Sequence, residues 1–203
     1  MPFYRERILP HVVHWAMRQA LFTEFRRRLV PAAEGRVLEI GVGSGLNLPF
    51  YSGSADNVLA LDPSPALLSR ARKGATGNPR VAWLEASAEA IPLGDRSVDT
   101  VLTTWTLCSI PDVACALEEV RRVLKPSGKL LFVEHGRAPQ AAVSRWQDRL
   151  TPMWKRVAGG CHLNRPIDRL IERAGFLVET LDTGYLQGPR MLTFMYEGCA
   201  RPK

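Results

Sequence analysis

The sequence lacks any apolar run that could cross a membrane. A spanning helix needs about 18 to 20 consecutive apolar residues, and polar or charged residues interrupt every hydrophobic stretch of this 203-residue chain before that length. The amino terminus also lacks the order of charged, apolar and small residues that marks a signal peptide. We therefore expect a cytoplasmic protein.

Cysteine is scarce and follows no recognisable pattern. The four cysteines include no C-x-x-C pair and no other zinc-binding spacing; they are Cys108, Cys115, Cys161 and Cys199. A metal site and a disulfide framework are therefore disfavoured, and free thiols in a reducing compartment are expected. Internal repeats and low-complexity segments are absent from the sequence as well.

Acidic residues are outnumbered, with 20 Asp and Glu against 27 Lys and Arg and a formal net charge of +7. Residues 1–36 account for much of the excess, because they hold seven arginines and three glutamates. Apolar residues are interspersed among these arginines, which is typical of an amphipathic helix that packs by one face. We expect a solvated basic face, with a weak membrane-surface contact as the alternative. No RNA-binding module supports a nucleic-acid partner.

The length and a hydrophobic content of 46% suit a single domain with one core. We therefore predict one domain over residues 1–203, in which a helical segment at residues 1–34 precedes the first strand.

Residues 37–45, Val-Leu-Glu-Ile-Gly-Val-Gly-Ser-Gly, form the most informative segment. The apolar residues predict a buried strand that also carries Glu39, and the three alternate glycines allow a tight turn and a close approach of the backbone to a ligand. A helix that begins near Leu46 would direct its free N–H groups at that ligand. Because position 46 is leucine, the segment does not match the dinucleotide fingerprint G-x-G-x-x-G.

A second apolar strand, Asn57–Leu61, ends at Asp62. In a doubly wound sheet this position brings a carboxylate to the hydroxyl groups of a ribose. The alternative is that Asp62 caps the predicted helix Pro65–Lys73. A third strand is predicted at Val81–Glu85.

The rest of the chain continues the alternation of strands and helices. A turn and a fourth strand are predicted within residues 95–105, a sheet-covering helix from Pro111 to Leu124, and a fifth strand at residues 129–134. Two final strands are expected at residues 176–182 and 190–198, with turn signals at Gly184 and Gly188-Pro189 between them.

Glu39 followed by Gly-x-Gly-x-Gly, together with the later strand ends, resembles the class I S-adenosylmethionine (SAM)-dependent methyltransferases. Further segments resemble the thiol S-methyltransferase branch of the ubiquinone/menaquinone-type family: residues 46–51, Leu107-Cys108-Ser109, Glu134-His135 and residues 144–165. The resemblance implies an α/β, Rossmann-like, doubly wound sheet of seven mostly parallel strands, whose last strand is antiparallel and lies next to strand five. It also implies SAM as cofactor, S-adenosylhomocysteine as product and a small-molecule methyl acceptor.

The resemblance further implies which residues hold the cofactor. Ser87 stands where the family usually has a carboxylate that receives the adenine amino group, and a serine hydroxyl can accept the same bond. Ala88 would contribute mainly backbone. The full set is Glu39, Gly41, Gly43, Gly45, Asn47, Asp62, Pro63, Ser87, Ala88 and Thr104.

On the acceptor side, residues 137–168 are expected to form an insertion that walls the substrate site. His135 could orient or deprotonate the nucleophile, and a structural hydrogen bond to Glu134 or to the backbone is the alternative. Substrate-lining candidates are Trp105, Cys108, Cys161 and Asn164. Core packing is the alternative for the tryptophan and the cysteines.

We expect methyl transfer to a small molecule, most specifically to a thiol. A thiol has a pKa of about 8.5 and ionises with little help at neutral pH. Methylation of a quinone precursor or a phospholipid headgroup is one alternative, and a non-catalytic SAM-binding protein of the same fold is the other.

Overall fold

The computed structural model of the chain describes residues 9–75 and 80–203. Expectations for residues 1–8, which include the start of the predicted helical segment, and for residues 76–79 lie outside the described residues. Within them the chain forms seven strands: β1 Gly35–Ile40, β2 Ala55–Leu61, β3 Val81–Leu84, β4 Val98–Thr104, β5 Leu124–His135, β6 Phe176–Tyr185 and β7 Phe194–Pro202. The α-helices of the same residues are α1 Leu9–Met17, α2 Ala20–Leu29, α3 Pro65–Gly74, α4 Val113–Val123, α5 Ala141–Val157 and α6 Ile167–Arg173.

The strands form one sheet in the order β3-β2-β1-β4-β5-β7-β6. Only β7 runs against the others, because it pairs antiparallel with both β5 and β6 while the remaining pairs are parallel. The predicted fold is therefore confirmed, including the insertion of the last strand next to β5. The strand order reverses between β1 and β4, which is where open α/β sheets bind ligands.

Helices cover both faces of the sheet because the central strands are apolar on both sides. Leu38 of β1 packs into a cluster that contains Leu117 of α4 and Ile171 of α6. Its neighbour Val37 points the opposite way, into a cluster with Leu29 at the end of α2. This alternation follows from the period of two along a strand. It leaves the carboxyl ends of the strands as the edge on which polar groups can gather.

The expected helix near Leu46 does not form, and that prediction is wrong. Residues 43–47 continue as turns and lead to a single 3-10 turn, Leu48–Phe50. Pro49 has no N–H to give to an intrahelical bond, and the side chain of Asn47 turns inward to a buried carboxylate, so both oppose a regular helix at this point.

Other boundaries also differ from expectation, and β7 begins at Phe194 rather than at residue 190. The amino-terminal segment contains two helices, α1 and α2, with a break at residues 18–19. β5 includes residues 125–128, which bulge between two registers opposite Asp99. β6 runs through Gly184, because that residue pairs with Met195 of β7, and the turn follows later, at Gly188 with a φ of 132°. Among the helices of the described residues, none has the length and apolar character needed to cross a membrane.

Candidate active site

Polar residues predicted from the sequence meet at the carboxyl edge of the sheet. Glu39 lies near the end of β1, Asp62 follows β2, Thr104 ends β4 and His135 ends β5, and all four are buried. Parallel strands bring their carboxyl ends to one edge, so residues far apart in sequence share a single site.

The three glycines after β1 have left-handed backbone angles, with φ of 70° at Gly41, 55° at Gly43 and 80° at Gly45. A Cβ at Gly41 would collide with the side chain of Thr106, and one at Gly45 would lie 3.2 Å from the Cβ of Ala71 in α3. Both glycines are therefore required by packing within the protein. Among the described residues, a Cβ at Gly43 would meet nothing closer than the Gly41 carbonyl oxygen at 3.9 Å, so the space beside Gly43 is open to a ligand.

Asp62 connects the loop that holds the three glycines, residues 41–45 (the glycine loop), to the end of β2. Its Oδ2 accepts the Gly43 N–H at 2.9 Å, and its Oδ1 accepts the Ser64 N–H at 2.8 Å. Helix α3 is capped by Ser64, whose Oγ accepts the Leu67 N–H, and not by Asp62. Burial raises the pKa of Asp62, and the two backbone hydrogen bonds oppose that shift. Each carboxylate oxygen retains a lone pair for a hydroxyl donor. Pro63, also predicted at the site, follows directly and is exposed.

Glu39 lies at the centre of a buried network. Asn47 Nδ2 donates to Glu39 Oε1 at 2.9 Å and to Thr104 Oγ1 at 3.0 Å, and the Tyr51 hydroxyl donates to Glu39 Oε2 at 2.8 Å. Burial raises the pKa of Glu39 to about 7, while the bonds from Tyr51 and Asn47 and the charge of Arg26 oppose the rise. A cation bound beside this carboxyl group would favour its ionised form.

Arg26 of α2 completes this network, although the sequence predicts that the arginines of this segment lie on a solvated face. For Arg26 that prediction is wrong. Its Nε donates to Asn47 Oδ1 at 3.0 Å, its Nη1 donates to the Met17 carbonyl, and its guanidinium centre lies 5.0 Å from the centroid of Trp105. Burial lowers the pKa of Arg26 to about 10. The sequence does contain a signal for the burial of Arg26. At helical spacing it lies on one face with Phe22, four residues earlier, and Leu29, three residues later.

Helix α1 lies over the glycine loop, a contact that no signal in the sequence predicts. His14 Nδ1 is 2.7 Å from Ser44 Oγ, and His11 Nδ1 is 3.0 Å from Nη1 of Arg70 in α3. Burial followed by the charge of Arg70 lowers the pKa of His14, which favours the neutral ring at this contact.

The polar groups in the loop after β3 form hydrogen bonds within the protein. Ser87 Oγ donates to Glu89 Oε2 at 2.8 Å and accepts the Glu89 N–H at 3.2 Å, and Glu89 Oε1 accepts the N–H of Asp112 at 2.7 Å. Ala88 is buried beside them. The predicted contacts of Ser87 and Ala88 with an adenine remain predictions.

On the acceptor side, Glu134 is a structural anchor. Its fully buried carboxylate accepts the hydroxyl of Thr103 at 2.8 Å and the backbone N–H groups of Thr106, Leu107 and Cys108 at 2.9, 3.0 and 3.3 Å. Burial raises the pKa of Glu134, and these hydrogen bonds oppose the shift. The carboxylate therefore holds the loop that follows β4.

His135 is paired with a thiol. Its Nδ1 lies 3.7 Å from Cys161 Sγ, and its Nε2 is buried without a hydrogen-bond partner in the part of the chain that the structure describes. The backbone joins Cys108 to the same cluster, because the His162 N–H donates to the Cys108 carbonyl at 2.8 Å. The structure thus brings together His135, Cys108 and Cys161.

The other predicted lining residues are placed differently. Trp105 follows β4 with a φ of 51° and contacts Phe22 and Phe25 edge-on, and its indole nitrogen has no hydrogen-bond partner among the described residues. Asn164 donates to Asp148 at 2.7 Å, so its role at the acceptor remains a prediction. No three histidine, cysteine or acidic side chains within residues 9–75 and 80–203 are arranged to hold a metal ion.

Comparison with known proteins gives consistent matches. A family model described as a methyltransferase domain matches residues 38–132. The chain is 35% identical over 164 residues to the thiol S-methyltransferase TMT1B of Rattus norvegicus, covering 78% of this chain and 67% of that protein. It is 31% identical over 177 residues to the thiol S-methyltransferase TMT1A of Homo sapiens, covering 85% and 71%.

The chain is also similar, over a shorter stretch or at lower identity, to a methyltransferase with a different named acceptor and to a solved structure. A demethylmenaquinone methyltransferase of Clavibacter sepedonicus is 31% identical over 122 residues, which is 60% of this chain and 50% of that protein. The crystal structure of a SAM-dependent methyltransferase from Thermotoga maritima superposes with a TM-score of 0.71 at 24% identity and full coverage of both chains. At that identity the likeness establishes the fold alone.

Proposed function

Because the chain belongs to the class I SAM-dependent methyltransferases, we propose that it transfers the methyl group of SAM to the sulfur of a small thiol. SAM is the methyl donor of this family and S-adenosylhomocysteine is the product. When bound, SAM supplies a strongly electrophilic methyl group on a sulfonium. The protein then has to hold the cofactor, align the nucleophile and exclude water.

The residues at the carboxyl edge of the sheet fit this cofactor. The open space beside Gly43 admits a ligand against the backbone, and the free lone pairs of Asp62 suit ribose hydroxyls. The network around Glu39 offers a carboxyl group to a positively charged part of the ligand. We assign the nucleoside to Asp62 and the glycine loop, and the charged amino-acid part to Glu39, Asn47 and Thr104.

The observation that favours a thiol acceptor is that the hydrogen bonds of the Glu134 carboxylate are already taken up by the protein. This carboxylate is the one next to His135, and three backbone N–H groups and a hydroxyl already occupy it. His135 and the thiols of Cys108 and Cys161 are titratable groups gathered on the same side. A phenol or a carbon acid requires a strong base, whereas a thiol of pKa about 8.5 forms its own thiolate. The relatives named as thiol S-methyltransferases support the same acceptor class.

The cofactor assignment is tested by Asp62→Ala. We expect SAM and S-adenosylhomocysteine to bind about 10- to 150-fold more weakly, equivalent to about 1.5–3 kcal/mol for lost hydrogen bonds to a charged group. Titration calorimetry measures the affinity. Ser64→Ala is the matched control, because it removes the cap of α3 and leaves the carboxylate in place. Normal affinity in a less stable Asp62→Ala protein would show that Asp62 serves only to brace the loop.

The acceptor assignment is tested with a panel of thiols, phenols, amines and lipids at saturating SAM. We expect turnover of thiols, with a rate that rises toward the pKa of the acceptor. At pH 9, His135→Ala should lower that rate by less than about tenfold, because the thiol ionises by itself, whereas a lost general base costs about 10²- to 10⁴-fold. A loss of a thousandfold on a thiol, at unchanged cofactor affinity, would contradict this assignment.

A second candidate acceptor is a molecule with a large apolar body, such as a quinone precursor or a lipid. Helix α5 borders the Cys161 cluster and exposes Trp146, Met153 and Val157, at 52%, 64% and 52% of their surface. Trp15 of α1 is 72% exposed. These exposed apolar side chains on α1 and α5 would suit contact with such a molecule, and turnover of lipids or phenols but not thiols in the same panel would select this function.

A further inference from the structure

The position of Cys161 is fixed by backbone contacts rather than by its own side chain. It follows two glycines with left-handed angles, Gly159 at 65° and Gly160 at 92°, and a Cβ at Gly160 would lie 3.1 Å from the Ser109 carbonyl oxygen. The next residue is bonded by its N–H to Cys108. The sulfur is thereby held 3.7 Å from His135 Nδ1, although 26 residues separate the two in sequence.

The Cys161 sulfur is the acceptor within reach of the His135 ring, because a hydrogen on Nδ1 can be donated to it at 3.7 Å whereas a hydrogen on Nε2 would be buried without an acceptor among the described residues. A hydrogen bond from the Cys108 thiol lowers the pKa of Cys161, burial opposes this, and Trp154 and the charge of Arg165 lower it further while that of Glu134 raises it. The Cys108 thiol also lies within reach of the Trp105 carbonyl, which accepts from it at 3.6 Å, and its pKa is raised well above the ordinary value, first by Cys161 and then by burial.

Arg165 is the buried cation of this cluster. It donates to the carbonyl groups of Leu107 and Pro111, so it is held against the loop that carries Cys108. His162 does not compete as a second cation, since burial and then the charge of Arg165 lower its pKa. The charged and titratable groups that face the Cys161 sulfur are therefore Cys108, His135, Glu134 and Arg165.

We propose that Cys161 is a positioning residue that holds His135 with its proton on Nδ1, so that the buried and unpaired Nε2 accepts the proton of the methyl acceptor. This inference rests on the proposed thiol methylation. The acceptor S–H bond breaks, its proton goes to Nε2 and its electron pair stays on sulfur. That sulfur then forms a bond to the methyl carbon, and the carbon–sulfonium bond breaks with its electron pair on the departing S-adenosylhomocysteine. The imidazolium later releases its proton to solvent.

The opposite direction of the Cys161–His135 bond would give a different site. If the thiol donated its proton to Nδ1, the neutral ring would carry its hydrogen on Nε2 and would present a donor to the acceptor sulfur. His135 would then stabilise a thiolate formed elsewhere but could not receive its proton. The two arrangements therefore differ in the tautomer of the His135 ring, and measuring that tautomer distinguishes them.

The tautomer can be measured without substrate. Nitrogen chemical shifts of ¹⁵N-histidine-labelled protein at pH 8 should show His135 protonated on Nδ1, with the signal identified by its loss in His135→Gln. Cys161→Ser, which keeps an acceptor, should retain this tautomer, and Cys161→Ala and Cys161→Val should lose it. Cys199→Ala, at a cysteine bonded to Glu179 on β6, is the control and should change nothing. Protonation on Nε2 in the wild type, or an unchanged tautomer in both apolar variants, would overturn the proposal.

A pH–rate series at saturating SAM gives the second measurement. In Cys161→Ala and Cys161→Val we expect a rate about tenfold below wild type at pH 6–7 and equal to it at pH 9, because a thiolate no longer needs the ring. Cys161→Ser should follow the wild type. A purely structural role would instead lower the rate equally at every pH and would overturn the proposal. If the wild type methylates no thiol at all, the proposed function fails, whereas the tautomer measurement still decides the role of Cys161.

Discussion

Gly43→Val should abolish binding of SAM and S-adenosylhomocysteine, with an affinity loss of more than about 100-fold, equivalent to about 2.7 kcal/mol. A Cβ at Gly43 enters open space, since the nearest atom is the Gly41 carbonyl oxygen at 3.9 Å. The valine side chain would therefore occupy the volume left for the ligand without displacing protein atoms. Titration calorimetry with S-adenosylhomocysteine measures the loss.

The fold should survive this substitution with reduced stability. Gly43 has a φ of 55°, where a residue with a Cβ costs about 1–2 kcal/mol. Thermal unfolding separates that cost from the loss of affinity. Gly53→Val is the matched control, because a Cβ there meets no atom of the described residues within 4 Å and its backbone is not left-handed. Undiminished affinity in folded Gly43→Val would show that the cofactor lies elsewhere.

Glu134→Ala should have the largest effect on stability. The substitution leaves three backbone N–H groups and the hydroxyl of Thr103 buried without their acceptor. Each unsatisfied buried group costs about 1–3 kcal/mol, and loop relaxation recovers part of the sum, so we expect the free energy of unfolding to fall by about 3–5 kcal/mol. Methyl transfer should be lost as well, because this loop carries Trp105 and Cys108. Urea denaturation measures the stability.

Two variants control this result. Glu134→Gln keeps one acceptor oxygen and should lose an intermediate amount of stability. Glu119→Gln alters a partly exposed carboxylate of α4 that accepts one backbone N–H, from Ile91, and pairs with Arg122, and it should cost no more than about 1 kcal/mol. If Glu134→Ala were as stable as Glu119→Gln, the anchoring role of Glu134 would be refuted.

The sequence was sufficient to predict the sheet and the position of Asp62 at its carboxyl edge. Asp62 could be placed because it directly follows an apolar strand, and the carboxyl ends of parallel strands share an edge. The antiparallel final strand was anticipated from the family resemblance. The regularities behind these predictions are local, such as apolar periodicity, strand length and glycines after a strand, so they can be read without knowledge of distant contacts.

Some local signals were misleading because tertiary contacts outweighed them. Gly184 has the composition of a turn, yet pairing with Met195 keeps it in β6. The segment after the glycine loop has the position of a helix, yet Asn47 is drawn inward by the Glu39 carboxylate and the segment forms only turns. Local propensity is worth tenths of a kcal/mol per residue, which a buried hydrogen bond to a charged group exceeds.

The sequence by itself determined the fold class, the family with its methyl donor, and the strand ends that form the site. The tertiary structure alone decided how that site is held together, through Arg26 on Asn47 across 21 residues, Glu134 on Leu107 across 27 and Cys161 on His135 across 26. A buried charge or thiol takes its partner from whichever element packs against it, and that packing is a property of the whole fold. A strand or a glycine turn, in contrast, follows from the preferences of a few consecutive residues.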